Sequence, residues 1–148
     1  MKLLAQLLII IYLIGHPGKG VSVSMVDMIN DTRLSNGQKI LSESSVLDKS
    51  ASLKCTDMFE KGYWAHVAPD GTQPWFFFGQ VSYKYVHAGE NLARDFSGYR
   101  SAENALMASP THRKNILDPD YEEVGIASCS GTLNGIETSI IVQHFGGK

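Results

Sequence analysis

The spacing of apolar residues changes period once along this chain, and that change limits the fold more than any other feature. In the first half they recur at helical steps. Val23, Val26, Ile29 and Leu34 define one apolar face. Leu47, Ala51, Cys55 and Met58 follow at steps of four and three, which stacks them along one side of a second helix. Asn36-Gly37 closes the first element, Ser44 or Ser45 caps the second, and Gly62 ends it. Tyr63 to Pro74 reads as loop around the turn Pro69-Asp70-Gly71. Trp75 to Phe78 reads as a short helix or core plug, and Tyr83, Tyr85 and His87 alternate as in an extended segment. Ser101 to Met107 predicts another helix, stopped by Pro110. The spacing falls to two in the last quarter. Val124 to Cys129 and Thr138 to Phe145 read as strands, with Asn134-Gly135 as a hairpin signal inside a longer connection. Helices first and strands last, without βαβ alternation, predict an α+β fold with an antiparallel sheet.

The N-terminus reads differently. Met1-Lys2 precedes an apolar run from Leu3 to Ile14, broken only by Gln6. A basic start followed by so short a run has the form of an export signal. A bilayer span needs about 20 apolar residues. Residues 1–20 are therefore assigned to a signal peptide or short hydrophobic anchor, and 21–148 to one domain. Thirteen Lys and Arg against fifteen Asp and Glu lack the basic excess of a general nucleic-acid binder. Cys55 and Cys129 are too few for a disulfide scaffold and lack zinc-knuckle spacing. In an exported chain they could oxidise to one disulfide. Cys55 also fits as a small buried hydrophobe, and its place on the apolar stripe favours that reading slightly.

Familiar catalytic signatures are absent. There is no H-E-x-x-H, no G-x-S-x-G and no phosphate-binding glycine loop. What remains is a set of polar residues beside turns: His66 before Pro69-Asp70-Gly71, Glu90-Asn91 after Gly89, and His112 after Ser109-Pro110-Thr111. Spacing alone does not bring them together. His16, His87 and His144 carry no comparable local signal.

Read in order, these segments resemble the CAP superfamily (cysteine-rich secretory proteins, antigen 5 and pathogenesis-related proteins, or SCP domains), in its bacterial branch. Asn30 with Arg33 resembles the family's N-x-x-R, and Gly89-Glu90-Asn91-Leu92-Ala93 its G-E-N-[IL]-A. Ser109-Pro110-Thr111-His112-Arg113-Lys114-Asn115-Ile116-Leu117 resembles S-P-x-H-R-x-N-I-L. Gly62 to His66, Pro69-Asp70-Gly71, Glu123 to Ala127 and Val142 to Gly146 complete the match. The resemblance implies a three-layer α-β-α sandwich with a small, mainly antiparallel sheet.

It also implies a cleft built from His66, Glu90, Asn91 and His112. The second acid of eukaryotic members falls on Ser109, so the family's tetrad is incomplete, with Glu123 or Glu103 as the acids to consider in its place. Two imidazoles suit Zn²⁺ or another divalent metal, held weakly with positions open. The expected protein is thus a secreted or surface-attached binding module, extracellular or in the cell envelope, that takes a metal and a lipid or protein partner. A metal-dependent hydrolase is the alternative, with Glu90 as base and Ser109 as the nucleophile to test. A non-catalytic structural module held to the membrane by its N-terminal segment is the third.

Overall fold

A computed structural model describes residues 23–148; the assignment of residues 1–20 lies outside them. Among the described residues, no helix is long and apolar enough to cross a membrane. The order is α1 (Met25–Ser35), β1 (Ser42–Glu43), α2 (Ser45–Lys61), α3 (Trp75–Gln80), β2 (His87–Arg94), α4 (Tyr99–Ala108), α5 (Pro110–Leu117), β3 (Glu123–Leu133) and β4 (Ile136–Gly147). The sheet runs β1-β3-β4-β2. β1 pairs parallel with β3 over two residues, and the other two pairings are antiparallel.

Helices cover both faces of this sheet, the three-layer α+β sandwich expected. On one face Met25, Ile29, Ala102, Leu106 and Ile116 pack from α1, α4 and α5 against Val124 and Phe145. On the other, Ala51, Cys55 and Met58 of α2 meet Ala127, Ile140 and Val142. Leu47 and Phe78 extend that layer into α3.

Local chemistry explains the boundaries. The Ser44 hydroxyl caps α2, and Gly62 closes it in the left-handed region at φ 66°. Pro110 starts a helix instead of only stopping one. At the first helical position its missing N–H has no intrahelical partner to lose. Tyr83 and Tyr85 are not part of a strand, which instead begins at His87 and runs through Gly89-Glu90-Asn91. Asn134-Gly135 is the whole β3–β4 connection, with φ of 52° and 82°. Serines and threonines continue the ladder where apolar residues had marked its end.

Three motif positions are structural. Asn30 exchanges two hydrogen bonds with the Leu41 backbone (2.8 and 3.0 Å). Arg33 is 1% exposed and donates to the carbonyls of Lys39, Ile116 and Asp118, tying α1 to the end of α5. Gly125 lies where β3 crosses the start of α2, and a Cβ there would collide with the Leu47 backbone. Cys55 and Cys129 form a disulfide joining α2 to β3, so the packed-thiol reading of Cys55 is corrected. The stripe rightly gave burial for Cys55, but a helical period carries no information about β3.

Candidate functional site

The site is organised around Glu90. In the β2–β4 ladder Glu90 stands directly opposite His144, so both side chains leave the same face of the sheet, towards α2. The carboxylate accepts from His144 Nε2 at 2.9 Å through Oε2, and from His66 Nδ1 at 2.6 Å through Oε1. Behind it, His144 Nδ1 meets Ser50 Oγ of α2 at 2.9 Å, and the Phe78 ring stacks on the imidazole at 4.6 Å. Ser50 and His144 are fully buried and Glu90 nearly so, whereas the His66 side chain is 52% exposed. A line of hydrogen bonds therefore leads from the core to the surface, Ser50–His144–Glu90–His66.

Protonation follows from this geometry. Burial pushes the Glu90 carboxyl up, but hydrogen bonds from His144 and His66, with the charge of Lys54, outweigh it and leave the pKa below its ordinary value. Burial pushes His144 down, against the pull of Glu90, and the imidazole stays neutral. An ionised Glu90 requires both rings to donate to it, so in its neutral form His66 has its proton on Nδ1 and its lone pair on Nε2.

Lys54 supports the segment that carries His66. Its ammonium is fully buried and donates to Tyr63 Oη (3.0 Å) and to the carbonyls of Ala65 (2.9 Å) and His66 (2.7 Å). Tyr63 donates onward to Asp57 at 2.6 Å. Burial lowers the lysine pKa, and the charges of Glu90 and Asp57 oppose that shift.

His112 is held by different means. Its Nδ1 lies 2.8 Å from Ser109 Oγ, at the junction of α4 and α5. The hydroxyl can donate or accept, so it orients the ring without fixing its tautomer. Burial, then the repulsion a protonated His66 would exert, lowers the His112 pKa. Ser109, where the family's second acid was expected, therefore takes over orientation of the imidazole and leaves out the charge. Glu123 does not replace that acid: it accepts from Tyr83 (2.5 Å) and pairs with Lys148 (3.0 Å). Nor does Glu103, which is buried near Gln143 and Thr32 with neither carboxylate oxygen in hydrogen-bonding geometry. Among the described residues no hydrogen bond joins an acid to His112, which leaves Ser109 without the third member of a nucleophilic triad there.

Asn91 and Asn115 join the two halves. Asn91 Nδ2 donates to the His112 carbonyl (3.2 Å) and to Gln143 Oε1 (3.0 Å). Asn115 Nδ2 donates to the Glu90 carbonyl (3.0 Å) and to Asn91 Oδ1 (2.9 Å). These amides fasten α5 to β2 and set His112 relative to Glu90. Two grooves open at the surface. One of about 300 Å³ is lined by His66, Glu90, Asn115, Pro74 and Trp75. Another of about 330 Å³ is lined by His112, Ser109, Trp64, Leu106 and the end of β2. Among the described residues, no group of three or more His, Cys, Asp and Glu side chains could hold a metal ion.

Sequence reasoning missed Ser50, Lys54, Gln143 and His144. Gln143 and His144 lie in the matched segment Val142 to Gly146, but their part in the site depends on the strand register with Asn91 and Glu90, which the sequence does not show.

The fold agrees with the comparisons to known proteins. The chain belongs to the cysteine-rich secretory protein (CAP) family, whose profile matches residues 26–145. The Bacillus subtilis protein YkwD, itself uncharacterised, is 33% identical over 124 residues, 84% of this chain and 46% of YkwD. The chain thus spans about half the length of that relative. An outer surface protein from Borrelia burgdorferi shares the fold at TM-score 0.74 and 22% identity, covering 84% of this chain and 90% of that one. An SCP-domain extracellular protein from Bacillus anthracis does so at TM-score 0.72 and 22% identity, covering 84% and 39%.

Proposed function

We propose that this chain is an extracellular or cell-envelope binding module in which His66 and His112 present their Nε2 atoms to an exchangeable divalent cation such as Zn²⁺. The observation that carries the reading is the 2.6 Å bond from His66 Nδ1 to a buried, ionised Glu90, itself held by His144. A carboxylate behind the far nitrogen fixes the tautomer a metal needs and raises the basicity of the ring. The donor set suits zinc in kind, and its small number matches weak, open coordination better than a structural site. A cation there would attract a bound carboxylate or phosphate group and polarise a bound carbonyl. The lipid or protein partner would lie in the groove beside His66 or in the one beside His112.

A binding role has more support than hydrolysis. Each Glu90 oxygen already holds an imidazole, and the residue is 5% exposed, so it is poorly placed to take a proton from water. Two structural neighbours, one an outer surface protein and one extracellular, support the location.

Calorimetric titration of metal-free protein with Zn²⁺ tests the reading. One weak site is expected, lost in His66→Ala and in His112→Ala. Equal binding by wild type and both variants would overturn it.

A further inference from the structure

Among the described residues β2 is an edge strand, bonded on one side to β4 only. The Asp95 N–H donates to the Ser139 carbonyl at 2.9 Å, which sets the phase of this ladder. Amide direction alternates along an antiparallel pair, so Asn91 and Ala93 turn their backbone groups towards β4, and Glu90, Leu92 and Arg94 turn theirs outward. Asn115 closes the outer edge at the Glu90 carbonyl, 3.0 Å away. No group among the described residues closes it at Leu92 or Arg94.

A groove of about 330 Å³ lies along this unclosed stretch. Trp64, packed with the α2 layer, forms one wall, and Ala105 and Leu106 of α4 form the other; Ser109 and His112 lie at its end. Edge strands usually cover or charge their unpaired groups, because bare ones recruit another strand. Here two residues of unpaired edge stand between Trp64, with the Arg94 guanidinium 5.2 Å from its ring, and the apolar side of α4.

We propose that this slot binds an extended, uncharged peptide segment by strand addition to β2 at Leu92 to Arg94. Outward N–H and C=O groups of the edge match the alternating groups of an extended backbone, and side chains on alternate sides of the added strand meet Trp64 and Leu106. A lipid chain would satisfy the walls and leave the edge unpaired. Such a peptide is the partner class of the binding module proposed above, and its assignment rests on that reading only for the role of this face.

Labelled full-length protein titrated with a capped hexapeptide of alternating Val and Thr, in the presence of a chelator, provides the test. Expected are amide shifts at Leu92, Arg94 and Ala105 with a dissociation constant of about 1 mM or tighter. The Leu92 and Arg94 amides should also gain protection from hydrogen exchange. N-methylation of alternate peptide amides should weaken binding at least about tenfold. Ala105→Trp, which fills the slot, and Arg94→Pro, which removes one outward N–H from an edge position that tolerates proline, should do the same. The proposal is overturned if these shifts are absent, if they survive N-methylation, or if dodecanoate produces them where the peptide does not. With chelator present, failure to bind zinc leaves this result standing, and failure here leaves the zinc titration standing.

Discussion

The two histidines at the surface are held in opposite ways. His66 is tied to a buried carboxylate that is tied in turn to a buried imidazole, and three neighbours decide its tautomer. His112 is tied to a hydroxyl at a helix junction, which leaves its tautomer open. The first arrangement stores a buried charge behind a half-exposed ring. The second holds a ring in place and lets its protonation follow the ligand. An imidazole orphaned in water gains little from either, so the difference matters for what approaches from solvent. A cation would be met by one preset ligand and one that adapts.

The largest way to disturb the comparison is to loosen the layer that buries the first half. The Cys55–Cys129 bond joins α2, which carries Ser50 and Lys54, to β3, across 74 residues of sequence. Cys55→Ser with Cys129→Ser should lower unfolding free energy by about 4 kcal/mol, measured by urea titration. A loss under about 1 kcal/mol would mean that packing alone holds α2 in place.

Glu90→Ala comes next. It leaves His144 Nε2 and His66 Nδ1 without acceptors and empties a buried volume, an expected loss of about 3 kcal/mol. Ser109→Ala removes one hydrogen bond from a half-exposed ring and should cost about 0.5 kcal/mol. Equal losses in the two variants would end the distinction between a buried and a superficial half.

Acid should separate the halves further. His144 titrates in the folded protein below its ordinary 6.5, so the unfolded chain takes up a proton first as pH falls. Its contribution is complete above pH 6.5 and declines below it. Glu90 titrates below its ordinary 4.5, so its contribution is complete above that value and is lost as pH falls through the folded pKa. Stability by urea titration should therefore fall from pH 7 to pH 4, and His144→Gln should flatten the upper part of that slope. An unchanged slope would place the proton uptake elsewhere, His112 being the next group to examine since its pKa is also lowered.

Much of this was legible in the sequence, for reasons that also mark where legibility ends. Helical stripes such as Leu47 to Met58 report a face because neighbours three and four apart suffice to define it. The late strands report themselves by alternation, and the motif order brought His66, Glu90, Asn91 and His112 into view. The Cys55–Cys129 pairing, the Glu90–His144 opposition and the Lys54 prop depend on contacts between elements, which no local period encodes. β2 itself escaped notice because Gly89-Glu90-Asn91 is strand sequence only when both faces are covered. Gly89 is there because the Tyr121 hydroxyl occupies the space a Cβ would take.

Glu103 offers a test of the opposite sign and bears on how β4 joins the halves. Its carboxyl is buried beneath α4, and among the described residues neither its oxygens nor the nearby Gln143 amide nitrogen has a hydrogen-bond partner. Burial raises its pKa, so at neutral pH the folded state bears the cost of an ionised group that the unfolded chain hydrates freely. Glu103→Gln removes that cost while keeping shape. We expect a gain of about 1 kcal/mol at pH 7 that shrinks as pH falls towards 4.5, where wild-type Glu103 is itself increasingly protonated. Because Gln143 also accepts from Asn91, the same variant should leave the Asn91 side-chain amide resonances close to their wild-type positions. Large shifts there, or a loss of stability at pH 7, would mean that ionised Glu103 helps to hold the amides between Glu90 and His112.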